Sequence, residues 1–95
     1  MPKFDLGCVV ATPGALRCLE EAEQGAAEFL RRHSAGDWGD LGEADKAANE
    51  AALVDGSRLF SKYHTKFGVA VWIITEAIGD DGQRGSTCVL LPEEY

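Results

Sequence analysis

The spacing of apolar side chains divides the chain into a helical first part and an extended last third. Phe4 to Ala11 alternates, with Leu6, Cys8 and Val10 on one face, and predicts a short strand. Thr12-Pro13 reads as a helix start. A threonine hydroxyl can accept from the free N–H groups of the first turn, and proline at the first helical position lacks an N–H that would have no intrahelical partner. Ala15, Leu16, Leu19 and Ala22 form the apolar stripe of this helix; Glu20, Glu21 and Glu23 face water, and Gly25 can stop it. A second short helix follows from Ala26, Phe29, Leu30 and His33 at i, i+3, i+4, i+7, with Arg31, Arg32 and His33 in the last turn, where positive charge suits the helix dipole. After the loop "GDWGD" (36–40), Glu43 to Val54 predicts a third helix. Its stripe of Ala44, Ala47, Ala48, Ala51 and Ala52 would permit close packing, and Asp55-Gly56 would end it.

From Ser57 onward the period falls to two. Strands are predicted over 58–64, 69–76 and 86–91, joined by turns at 65–68 and 79–85, with Pro92 stopping the last. The middle strand is apolar on both faces, Val69, Val71 and Ile73 on one and Ala70, Trp72 and Ile74 on the other, which suits a central strand covered on both sides. The order β-α-α-α-β-β-β places the chain in the α+β class. The expected architecture is one domain over 1–95 with a small antiparallel sheet. A C-terminal three-stranded meander is joined at its edge by the N-terminal strand, and helices pack on one face.

Size and charge narrow the function. A chain of 95 residues buries only ~60–65 % of its unfolded surface, which leaves little room for a deep enclosed site and makes self-association an easy way to cover apolar surface. The net charge of −7 disfavours nucleic acid or anionic membrane as a direct ligand and fits a protein partner with a basic surface. The charge is uneven. Asp37, Asp40, Glu43, Asp45, Glu50 and Asp55 stand against Lys46 alone in the middle, whereas Arg58, Lys62 and Lys66 outnumber Glu76 in the segment after it. Cys8, Cys18 and Cys88 are odd in number and lack metal-site spacing, and the longest apolar run, "VAVWII" (69–74), is too short to cross a bilayer. A cytoplasmic protein with reduced thiols is the expectation.

Candidate chemistry is sparse. Asp37, Asp40, Glu43 and Asp45 could offer oxygens to a hard cation, but they lack the alternating pattern of a calcium loop; acids at a helix start also favour its positive end without any ligand. Asp40 or Gly42 would cap the third helix. His33 extends an apolar stripe and reads as a core histidine, while His64 lies on the charged side of its strand beside Lys62 and Lys66. Ser34 and Ser57 have no nucleophile-elbow context, Cys18 sits among leucines, and "GDDGQRG" (79–85) is a hairpin tip and not a phosphate loop. Trp38 is either a core plug or an exposed anchor, tryptophan being enriched at binding hot spots. No metal or cofactor is expected.

Three stretches, "VVATPGAL" (9–16), "EFLRRHSAGDWGDLGEADKAANEAAL" (28–53) and "WIITEA" with "VLLPEEY" (72–77 and 89–95), resemble a group of small bacterial proteins of about this length carried on plasmids, integrative elements and phage-related islands. The resemblance spans nearly the whole chain and departs from the family at "AIGDDGQRGSTC" (77–88), where the hairpin is longer. It brings no catalytic residues. What it implies is context: small acidic proteins of mobile elements often occupy the basic nucleic-acid surface of a restriction or CRISPR effector. The leading expectation is therefore a non-enzymatic inhibitor of such a nuclease, binding through Asp37, Asp40, Glu43, Asp45 and Glu50 with Trp38 as an apolar anchor. An accessory protein of plasmid maintenance that binds another protein, and a metal-dependent enzyme using His33, Asp37 and Asp40, are the alternatives. A homodimer is left open.

Overall fold

The computed structural model describes residues 2–95. The elements are β1 (Cys8–Ala11), α1 (Pro13–Glu21), α2 (Ala26–Ser34), α3 (Glu43–Asp55), β2 (Leu59–His64), β3 (Ala70–Thr75) and β4 (Ser86–Leu90), followed by one 3₁₀ turn at Pro92–Glu94. This is the α+β order that the periodicity predicts. The strands form one sheet in the order β1-β4-β3-β2. β2, β3 and β4 make the antiparallel meander, with Ser61 opposite Ile73 and Ile73 opposite Val89. β1 joins the β4 edge in parallel, Val10 opposite Cys88, so the sheet is mixed and not purely antiparallel. β1 is also shorter than the alternation from Phe4 suggests; Gly7 adopts φ +66° and bends the chain just before the strand.

All three helices pack on one face. Ala15 and Leu19 of α1 and Phe29 of α2 bury against Tyr63, Val71, Ile73, Val89 and Leu91. A second cluster joins Trp38, Ala52 of α3 and Leu59, with Phe4, Leu41 and Leu53 packed around it. The start of α1 follows its local chemistry: the Thr12 hydroxyl accepts from the Ala15 N–H, with proline in the first turn. At α3, Gly42 occupies the N-cap position with no side-chain cap, and Glu43 and Asp45 lie in the first turn.

One sequence expectation about packing is corrected. The alanine stripe of α3 does not face the core: Ala44, Ala47, Ala48 and Ala51 are exposed, and α3 turns Asn49 and Ala52 inward. The reason is a backbone debt at the sheet edge. The outward N–H and C=O of Phe60 on β2 would lack partners beneath the helix, and the Asn49 amide satisfies both, its Nδ2 donating to Phe60 O (2.7 Å) and its Oδ1 accepting from Phe60 N (3.0 Å). Satisfying two buried polar groups outweighs a slightly better fit of methyl groups. As expected, the helices cover β3 from one side only; on its other face Ile74 is still buried. The face carrying Phe60, Trp72, Ile74 and Cys88 has no helix over it, and Tyr95 lies against Trp72 there, ring centroids 5.7 Å apart. Among the described residues no helix is long and apolar enough to cross a membrane.

Candidate protein-binding surface

The acidic segment is displayed by a loop nailed to the core from several directions. α2 ends at Ser34, and Gly36 and Gly39 take positive φ (86° and 75°), which turns the chain back toward β2. Gly39 is required for a second reason: a Cβ there would sit 2.0 Å from the Lys62 carbonyl oxygen. This close approach lets the loop pair with β2 like a short extra strand, the Lys62 N–H donating to Trp38 O (3.2 Å) and the Asp40 N–H to Lys62 O (2.7 Å). The Tyr63 hydroxyl donates to Asp37 O from within the core, and burial pushes that phenol up to about 12.

Trp38 is the plug of this loop. It is only 4 % exposed, stacked on Phe4 and edge-on to His33. It therefore presents no apolar anchor to a partner, and the reading of Trp38 as a surface contact is corrected: a fold this small needs the indole to fill the space between Phe4, His33 and α3. Its Nε1–H donates to Glu50 Oε2 at 2.8 Å, which satisfies the one polar atom of the plug and ties the loop to α3.

Asp37, Asp40, Glu43, Asp45 and Glu50 are all exposed. They do not carry equal free charge. Asp37 is held by Arg32, Nε to Oδ2 2.7 Å, and that hydrogen bond keeps its carboxyl below the ordinary range; the Gly39 N–H adds to it. Asp40 meets His64 Nδ1 at 2.7 Å. Glu50 is engaged by Trp38. Glu43 and Asp45 form no ion pair among the described residues and lie where the helix dipole favours negative charge.

The two aspartates fan outward, to Arg32 and to His64, and neither approaches His33. The constellation of His33, Asp37 and Asp40 required by the metal-dependent alternative is not assembled. His33 is fully buried between β2 and β3: Nδ1 meets Ser61 Oγ at 2.5 Å and Nε2 meets Thr75 Oγ1 at 2.9 Å. Thr75 in turn meets Thr87 Oγ1 at 2.7 Å, and the Thr87 hydroxyl donates to Leu6 O. The direction of that last bond orders the whole ladder. Thr87 must accept from Thr75, so Thr75 accepts from an N–H at His33 Nε2, and Nδ1 accepts from the Ser61 hydroxyl. Every group is satisfied with a neutral imidazole, and burial, with the Arg84 charge adding to it, lowers the His33 pKa to about 4. A serine–histidine contact resembles a nucleophile pair, but both side chains are sealed from solvent, so the ladder serves the fold.

Two features had little signal in the sequence. Arg84, read as part of a hairpin tip, is buried and caps the end of α3: its guanidinium donates to Ala52 O, Ser57 O and Glu76 O. On the helix-free sheet face, Arg58, Leu59, Phe60, Trp72, Ile74 and Tyr95 line an apolar groove of about 360 Å³, and the buried Trp72 Nε1–H has no hydrogen-bond partner. The even-numbered apolar residues of β2 and β3 were the available clue, but alternation cannot tell a covered face from a bare one. Comparison with protein-family models, with curated proteins and with solved structures gives no match for this chain.

Proposed function

We propose that this chain is a non-enzymatic binding protein of the mobile-element kind, which inhibits a host defence nuclease of the CRISPR or restriction type by occupying its basic nucleic-acid surface. The observation that carries the reading is the rigid presentation of the acidic segment. Asp37 to Asp40 is zipped to β2, plugged by Trp38 and tied through Glu50 to α3, while the carboxylates face outward. A surface already held in one conformation loses little entropy on binding. Glu43 and Asp45 supply the free charge at its centre, and complementary charge accelerates encounter with a basic partner. The resemblance to small plasmid- and phage-borne proteins points the same way.

The test is the purified chain added to restriction and CRISPR effectors, with nucleic-acid cleavage and complex formation both measured. The Glu43→Lys/Asp45→Lys variant loses two charges that the α3 dipole favours, at about 1 kcal/mol each, and should still be folded, which circular dichroism checks before binding is read. It should associate more slowly at low salt and lose inhibition. Equal binding by this variant and the wild type would refute the acidic-surface mechanism. The accessory-protein reading has one observation in its favour, the apolar groove around Trp72, which suits a partner with no basic surface. Binding that survives the charge reversal but fails on Phe60→Ser would favour it.

A further inference from the structure

The two edges of the sheet are treated differently. β2 is sealed: Asn49 takes both backbone groups of Phe60, and Trp38 and Asp40 take both of Lys62. β1 is the opposite edge and has no such cover. In a parallel ladder alternate residues direct their N–H and C=O to the neighbouring strand. The Cys8 N–H donates to Gly85 O (3.0 Å) and the Thr12 N–H to Val89 O (2.9 Å), so Cys8, Val10 and Thr12 face β4. Val9 and Ala11 direct their backbone groups away from the sheet, and among the described residues nothing pairs with them. The side chains there are apolar and open, Val9 44 % and Val10 49 % exposed. Of the usual guards of an open edge β1 has only its brevity, four residues; no lysine, proline or bulge lies within it.

The geometry points to β1 as the contact by which two copies of this chain join, antiparallel about a twofold axis through Val10. A second copy is the occupant that the strand itself specifies. With Val9 of one copy opposite Ala11 of the other, each pair exchanges both of its backbone bonds, about four in all, and no outward group of Val9 or Ala11 is left over. Val10 then meets Val10 of the second copy in a non-hydrogen-bonded pair, where side chains come closest and β-branched residues pack well. β1 carries no charge, so identical strands meet without repulsion. The two sheets would run on as one, and the helix-free faces with Trp72, Ile74 and Cys88 would lie side by side. The acidic segment sits near the sealed edge, across the sheet, and would remain free on both copies.

The experiment is the mass of the full chain in solution over a range of concentrations, by light scattering and sedimentation. The wild type should approach twice the monomer mass as concentration rises. Val9→Pro removes only an outward N–H, and should keep the helical and sheet circular dichroism while losing the doubled mass. If that variant does not fold, Val9→Lys tests the same edge with a charge. Val10→Cys should form a disulfide between the two introduced thiols on mild oxidation, mapped by peptide mass, far faster than Val54→Cys, which places a thiol on the exposed side of α3. A wild type that stays monomeric would overturn the inference. So would a dimer unaffected by either Val9 variant, or Val10→Cys crosslinking no faster than Val54→Cys.

Discussion

The buried histidine makes the stability of this fold depend on pH in a predictable window. His33 is fully enclosed, and its ladder of Ser61, Thr75 and Thr87 is complete only when the imidazole is neutral. A proton added at Nδ1 would turn an acceptor into a donor facing the Ser61 hydroxyl and would place a charge in a water-free site near Arg84. The unfolded chain has no such restriction and takes up the proton at the ordinary 6.5, whereas the folded chain resists until about 4. Between those values the unfolded state binds more protons, so stability falls as pH falls. The loss begins near 6.5 and levels off below about 4. At about 1.4 kcal/mol per pH unit, this amounts to about 3 kcal/mol in all. That is a large share of the ~5–15 kcal/mol that holds a small domain together. Urea unfolding from about pH 7 down to about pH 5 should show about 2 kcal/mol of it, above the range in which carboxylates held low by hydrogen bonds, Asp37 to Arg32 and Glu94 to Thr12, take up protons in the unfolded chain. His64→Gln removes the other histidine and should leave the acid slope in place. In the same range the His33 ring resonances should not titrate in the native protein. A flat stability profile, or a His33 that titrates near its ordinary value while the fold persists, would refute the argument.

Asn49→Ala should cost about 2 kcal/mol, since it leaves the N–H and C=O of Phe60 without partners; thermal melting measures it, and Asn49→Asp, which keeps the acceptor for Phe60 N–H but sets a carboxylate oxygen against Phe60 O in a buried site, should cost at least as much. Gly39→Ala should be more damaging than its size suggests, because a methyl group would meet Lys62 O at 2.0 Å and the φ of 75° would be strained. A loss of about 2–3 kcal/mol is expected, with faster amide exchange at Asp40 and Lys62 as the loop lifts from β2. Unchanged stability in that variant would show that the loop is not pinned where the structure has it.

What the sequence determines here is local. Thr12-Pro13, the glycine turns and the switch from a helical to an alternating period mark the elements in order, because caps and turns act within a few residues and amphipathic spacing reports which elements have an inner side. The same pattern identified His33 as a core residue, since it lies on the stripe of α2 with Phe29. Which partners those sides meet was decided only in three dimensions. Five alanines look like the packing stripe of α3, yet the helix turns to put Asn49 over Phe60, since the edge strand that follows has two backbone groups to satisfy, a need that apolar spacing does not mark. Arg84 looks like a loop residue because the carbonyls it caps, Ala52 and Ser57, are distant in sequence. Asp37 and Asp40 are plainly acidic in the sequence, but Arg32 pairs with the first and the His64 ring meets the second across gaps that no periodicity reveals, and this leaves Glu43 and Asp45 as the acids of the segment with no side-chain partner. Trp38 had two readings until the fold closed around it. Alternation along β2 and β3 shows that both faces are apolar; only the helices settling on one of them decides that the other, with Trp72 and its unpartnered N–H, is left open.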